Sequence, residues 1–185
     1  MDLDALRQEY ETTPLDVADV APEPIAQIER WLARWIEVAP NEPTAVVLAT
    51  SGRTGQPSAR NVLLRGLDAR GLTFFTGYDS RKGRELADNP YATALFSWVP
   101  LLRQIHVGGV VHRVDPSEND AYWVTRPRNS QLAAWASEQS TVLPDRATLE
   151  ARFAAAAARF EGTEVPRPEA WGGYRLVPET VELWQ

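Results

Sequence analysis

Three β-rich segments follow one another between Thr44 and Thr76, and their connections are too short to hold a crossover helix. TAVVLATS (44–51) runs into the turn-forming stretch SGRTGQP (51–57). SARNVLLRG (58–66) follows, and Asp68, Ala69, Arg70 and Gly71 lead tightly into LTFFT (72–76). Parallel neighbours need a dozen or more residues between them, so these three strands form an antiparallel meander. Two more strand patterns, YATALFSWV (91–99) and RQIHVGGVVHRV (103–114), are separated by a short proline-containing link. GGYRLVP (172–178) and TVELWQ (180–185) read as two closing strands.

Helical signals surround this set. Ile25, Ile28, Leu32 and Trp35 recur at helical spacing, which predicts an amphipathic helix over 24–38 with Pro24 in its first turn. Leu3 and Leu6 suggest a short helix within 1–12, followed by an extended connector over 13–23. GYDSRKGRELADNP (77–90) reads as a loop and a short helix, with Asp79 or Ser80 as N-cap. Helices are expected at 116–126, 129–138 and 147–161, the last alanine-rich, with a loop over 162–171. Antiparallel strands with inserted helices fit a small closed or half-closed β-barrel, a mainly β chain with α, better than a doubly wound sheet. No GxGxxG stands at a strand-to-helix turn, so a Rossmann dinucleotide site is not expected.

Composition narrows the chemistry. There is no cysteine, which excludes disulfides, thiolate metal sites and a cysteine nucleophile. The two histidines, His106 and His112, lack the spacing of a metal helix, so no metal site is expected. No apolar run is long enough to span a bilayer, and MDLDALRQEY has neither a basic nor an apolar leader region. The expectation is a cytoplasmic protein with no membrane partner. A net charge of −6 argues against general nucleic-acid binding. Yet residues 51–128 hold eleven Arg/Lys against seven Asp/Glu, a basic centre in an acidic chain that suits a cleft for a small anion.

Four groups of residues could carry that chemistry. Ser80-Arg81-Lys82 opens a helix, where free backbone N–H groups and the dipole favour an anion; the alternative is a solvated helix start. Lys82 is the only lysine in the chain. Arg60 and Arg65 flank NVLL, but alternation puts them on opposite faces, so one ligand reaches both only through a bulge or at a subunit boundary. Tyr122 and Arg126 share a helix face four residues apart, with Ser130 just beyond Pro127; together they can grip a phosphate, or they can be structural. Gln104, Gln139 and Ser140 could read a heterocycle edge, although surface polarity explains them equally. His106, two residues from Gln104, reads as a packed or surface histidine rather than a base. No Ser–His–acid set or paired-carboxylate site stands out.

Taken together, LRQEY, RNVLLR, FFTGYDSRKGRELADNP, RQIHVGG, YWVTRPRNSQLAAWASEQS, VPRPEAWGGYRL and VELWQ resemble the pyridoxine/pyridoxamine 5′-phosphate oxidase family from about Leu6 to Gln185. RPRNSQLAAWASEQS is the most specific segment. The resemblance implies one FMN-binding split-barrel domain over 1–185, with 1–22 as an N-terminal lid and connector. It also implies a homodimer with FMN at the interface. The implied activity is oxidation of pyridoxine or pyridoxamine 5′-phosphate to pyridoxal 5′-phosphate, with oxygen reduced to hydrogen peroxide.

Carried over by position, the flavin-phosphate contacts fall on Arg60, Arg81 and Lys82. Strand-borne flavin contacts fall on Arg60, Asn61, Val62, Leu63, Leu64 and Arg65, with Phe75 and Thr76. Ring and ribityl contacts fall on Gln104, Gln139, Ser140 and Trp184. The substrate-phosphate pocket falls on Arg65, Tyr122, Arg126 and Ser130, and the lid contacts run from Arg7 to Tyr10. No catalytic side chain is assigned, because the flavin supplies the redox chemistry.

Three departures stand out. Arg65 replaces the family's usual lysine, Phe75 replaces a frequent tyrosine, and the sequence closes on Trp184-Gln185. Relatives continue there with an Arg-x-His-x-Arg stretch that holds the pyridoxal ring. Two alternatives remain open at this level: an FMN-dependent oxidase of another reduced heterocycle, as in phenazine biosynthesis, and a flavin- or B6-binding module without turnover.

Overall fold

The computed structural model describes residues 1–7, 9, 13–39 and 41–185. Six strands form a closed antiparallel barrel: β1 (Ala45–Ser51), β2 (Pro57–Asp68), β3 (Gly71–Gly77), β4 (Tyr91–Trp98), β5 (Arg103–Arg113) and β6 (Trp171–Trp184). Their order around the barrel is β1-β2-β3-β6-β5-β4. The β1–β2–β3 meander follows from the short connections, as the sequence requires. Alternate residues point inward, so Val46, Leu48, Val62, Leu64, Phe74, Phe96, Ile105, Val107 and Leu176 fill the interior.

Among the described residues, five α-helices surround the barrel. They are α1 (Pro24–Val38), α2 (Arg81–Asp88), α3 (Pro116–Thr125), α4 (Arg128–Ala136) and α5 (Arg146–Arg159). Helix α1 buries Ile28 and Trp31 against the barrel core, and its Trp35 stacks on Trp98 with centroids 6.0 Å apart. Helix α2 lies at one end, where Leu86 joins the barrel core. Helices α3, α4 and α5 build a second core from Trp123, Leu132, Ala156, Phe160 and Val165, closed by Trp171 of β6. The side chain of Asp145 caps α5, accepting from the Thr148 amide at 2.7 Å.

Two details differ from the sequence reading. The closing segment is one strand, not two. Pro178 suggests a break, but Gly108 pairs with Thr180 and Gly109 with Pro178, so Glu179 bulges out and the strand passes through. A proline without an N–H is tolerated at such an irregularity. The described part of 1–12 holds a single 3₁₀ turn, Asp4–Leu6, instead of a helix. Leu3 and Leu6 are exposed there, and a segment this short with nothing to pack on does not sustain helix nucleation. Among the described residues, no helix is long and apolar enough to cross a membrane.

Candidate active site

A cleft of about 950 Å³ opens on the outside of the barrel, between the β2–β3 face and helices α3 and α4. Arg65, Tyr122, Arg126 and Ser130 all line it, as do Leu63, Phe75, Thr76 and Gln139. Arg65 sits where the β2–β3 register shifts between Leu64 and Gly66, but this irregularity does not bring it to the side of β2 that Arg60 occupies. It stays exposed, and its Nη1 donates to Thr44 Oγ1 at 3.5 Å.

The cleft wall is aromatic. Phe75 stacks on Tyr122 with centroids 3.9 Å apart and on Trp171 at 5.6 Å. The Arg126 guanidinium lies over Trp171 at 4.3 Å and over Trp123 at 5.0 Å. Burial works against the Arg126 cation, Tyr122 supports it, and the nearby Arg65 charge adds to the penalty. Arg126 Nη1 is buried and finds no hydrogen-bond partner among the described residues. Two cations therefore share one cleft wall, and one of them has an unused donor. Such an arrangement suits an anion.

A second polar cluster sits at the α2 end. Ser80 caps the helix, its Oγ accepting from the Gly83 amide at 3.3 Å. The amides of Arg81 and Lys82, at the first turn, have no intrahelical acceptor. Lys82 is buried, and its Nζ donates to Thr76 Oγ1 at 3.0 Å. Thr76 donates in turn to Gln139 Oε1 at 2.8 Å, and the Gly77 amide donates to the same oxygen at 3.2 Å. Burial, with the Arg60 charge, pulls the Lys82 pKa down to about 8, against the pull of Glu85.

Arg60 is tied inward. Nη1 donates to the Leu48 carbonyl and to Thr50, and Nη2 to Ser58 and Glu85. Burial raises the pKa of the Glu85 carboxyl, but hydrogen bonds from Ser58, Thr50, Arg81 and Arg60 outweigh it and hold the value at about 2. Arg60 and Arg65 thus stay on different sides of β2, as alternation demands.

The remaining expected residues are spread more widely. Val62 and Leu64 direct their side chains into the barrel core, while Asn61 is exposed. Ser140 is exposed, with a positive φ of 68°. Gln104 and Trp184 face each other across β5 and β6, and neither lines the cleft. Arg7 is exposed and paired with Asp4 at 2.8 Å, while Tyr10 lies outside the described residues. His106 stands opposite Leu95 and Glu182, also away from the cleft.

The sequence pattern of the pyridoxamine 5′-phosphate oxidase family matches residues 34–160. The chain belongs to that family. A pyridoxine/pyridoxamine 5′-phosphate oxidase of Burkholderia ambifaria is 51% identical over 180 residues, covering 97% of this chain and 84% of the relative. One from Ralstonia nicotianae, pyridoxine/pyridoxamine 5′-phosphate oxidase 1, is 54% identical with the same coverage. Among solved structures, PhzG from Burkholderia lata 383 in complex with tetrahydrophenazine-1-carboxylic acid aligns with a TM-score of 0.84 and 38% identity, over 90% of this chain and 82% of that one. A pyridoxamine 5′-phosphate oxidase-related FMN-binding protein from Nostoc punctiforme aligns at a TM-score of 0.67 and 18% identity, over 89% and 85% of the two chains, which shows the shared split-barrel fold.

Two residues escaped the sequence reading, one on the cleft wall and one at the α2 end. Nothing in the sequence sets Trp171 apart from the other tryptophans, yet it lines the cleft and carries Phe75 on one contact and Arg126 on another. Glu85 had one legible signal, its i, i+4 spacing from Arg81. Its barrel partners Thr50 and Ser58 become neighbours only when β1 and β2 pair.

Proposed function

We propose that the protein is an FMN-dependent oxidase of pyridoxine 5′-phosphate and pyridoxamine 5′-phosphate, yielding pyridoxal 5′-phosphate and hydrogen peroxide. One observation carries the substrate assignment: Arg126, half-buried with a buried and unpartnered Nη1, shares the cleft with Arg65 and two hydroxyl-bearing residues, Tyr122 and Ser130. A phosphate supplies the acceptors that this set lacks. Charge-assisted hydrogen bonds of roughly 1.5–3 kcal/mol each make it a strong grip.

FMN is the cofactor. The α2 end fits its phosphate, because Arg81, Lys82 and two open first-turn amides converge there, and the terminal nitrogens of Arg81 carry no partner among the described residues. Thr76 and Gln139 link that end to the cleft, and Phe75 offers an aromatic face beside them. Held by these residues, FMN would supply the redox chemistry, as hydride acceptor from the substrate and electron donor to oxygen. The chain binds and orients the substrate, and the aromatic wall of Phe75, Tyr122 and Trp171 excludes water.

A homodimer completes the site. Gln104 and Trp184 lie off the cleft of their own chain, so a second copy is the economical way to bring them to a flavin.

The likeness to PhzG favours a second reading, oxidation of a reduced tricyclic carboxylic acid, whose anionic group could meet the same arginines. Turnover separates the two. The holoenzyme is expected to release peroxide with pyridoxamine 5′-phosphate and to leave dihydro- and tetrahydrophenazine carboxylic acids largely untouched. The reverse preference would overturn the B6 assignment.

A further inference from the structure

Glu85 joins the barrel to Arg81, and its geometry is that of an anchor. One carboxylate oxygen accepts from Ser58 Oγ at 2.6 Å, Thr50 Oγ1 at 2.5 Å and Arg60 Nη2 at 3.1 Å. The other accepts from Arg81 Nε at 2.8 Å. The Glu85 side chain is only 12% exposed, against 54% for Arg81. An ordinary i, i+4 pair on a helix surface is two mobile side chains and contributes little. Here one partner is fixed from the barrel by three donors on β1 and β2. Arg81 is held through Nε alone, and neither of its terminal nitrogens has a hydrogen-bond partner among the described residues.

We propose that Glu85 is a positioning residue for the cofactor phosphate: it pre-orients Arg81, with Ser58, Thr50 and Arg60 locking the carboxylate in place. This rests on the reading of Arg81 as a phosphate ligand. An arginine that binds a ligand ordinarily loses side-chain freedom at that moment, and one already fixed has less to lose. The negative charge of Glu85 would on its own repel a phosphate. Its role is therefore visible only if charge and reach are separated.

Glu85→Asp does this, since it keeps the charge and shortens the side chain by one methylene. The measurements are FMN and riboflavin affinities, by flavin fluorescence, for the wild type, E85D, R81A and E85D/R81A. The expected result is FMN binding weakened about 3–10-fold by E85D, riboflavin binding unchanged, and no further effect of E85D once Arg81 is alanine. Equal loss of FMN and riboflavin affinity, or the same E85D factor with and without Arg81, would overturn the proposal and leave Arg81 as a ligand. An R81A protein with unaltered FMN affinity would overturn the underlying reading instead. Should E85D fold poorly, Ser58→Ala removes one anchor while sparing both ion pairs, and the same FMN-only, Arg81-dependent loss is expected at smaller size. Its absence would count against the proposal.

Discussion

Lys82 Nζ donates to Thr76 Oγ1 at 3.0 Å, and through Thr76 the buried cation of α2 is linked to Gln139 on the cleft wall. Its lowered pKa has a consequence for stability. The folded value is about 8 against an ordinary 10.5, so between those limits the unfolded chain binds the extra proton. Stability of the FMN-free protein therefore rises with pH across that window, by up to about 3 kcal/mol, while below pH 8 the penalty is constant. Denaturant midpoints at pH 7.5 and 9.5 should show the rise in the wild type and a flatter profile in Lys82→Met. Parallel profiles would contradict it.

The same end of the barrel sets the response to acid. The Glu85 pKa is held near 2, below its ordinary 4.5, so its contribution is fully present above pH 4.5 and is lost as pH falls toward 2. Glu85→Gln should lower stability at pH 7 by about 1–3 kcal/mol, allowing for solvent screening, and the difference from wild type should shrink on acidification. Thermal unfolding at pH 3 and pH 7 reads this directly. A gap that widens at pH 3 would reverse the sign.

Arg126 trades stability for binding. Arg126→Met keeps packing against Trp171 and Trp123 and removes the buried donor without a partner. Removing an unsatisfied group is favourable by about 1–3 kcal/mol, and losing the cation–π contact costs about 0.5–2 kcal/mol. Stability should change by between about −1 and about +2.5 kcal/mol, while pyridoxal 5′-phosphate binding falls about 10–100-fold. A strongly destabilised R126M protein would show that Arg126 serves the fold instead.

Gly172 sits under the pair that fastens α3 to β6. A Cβ there would meet Tyr78 Oη at 2.0 Å and Asn119 Oδ1 at 2.8 Å. Asn119 donates to Tyr78 Oη at 3.3 Å and accepts from the Gly173 amide at 2.6 Å. Gly172→Ala should therefore cost about 2–4 kcal/mol and weaken substrate binding, because α3 carries Tyr122 and Arg126. Calorimetry with a substrate titration checks both effects. A wild-type melting temperature would rule the account out.

The meander was legible because two short connections leave no room for any other pairing. Tyr122 and Arg126 were legible because one helix turn fixes their common face. The irregularity at Arg65 was hidden because only the β2–β3 register shows it, and it leaves Arg65 on the side of β2 opposite Arg60. Pro178 misled, since a proline reads as a break locally while the Glu179 bulge that tolerates it depends on β5. The Thr50–Ser58–Glu85 anchor was hidden for a similar reason: its three oxygens belong to two strands and a helix, and no periodicity in the sequence joins them.

The central claim is that this cleft holds a phosphorylated B6 vitamer by its phosphate. Equilibrium titration of the FMN-loaded protein with pyridoxal 5′-phosphate and with pyridoxal tests it most directly. The account predicts at least a 100-fold preference for the phosphorylated form, from two or more charge-assisted contacts of roughly 1.5–3 kcal/mol, and its collapse in R126M. Equal affinity for the two forms in the wild type would contradict it.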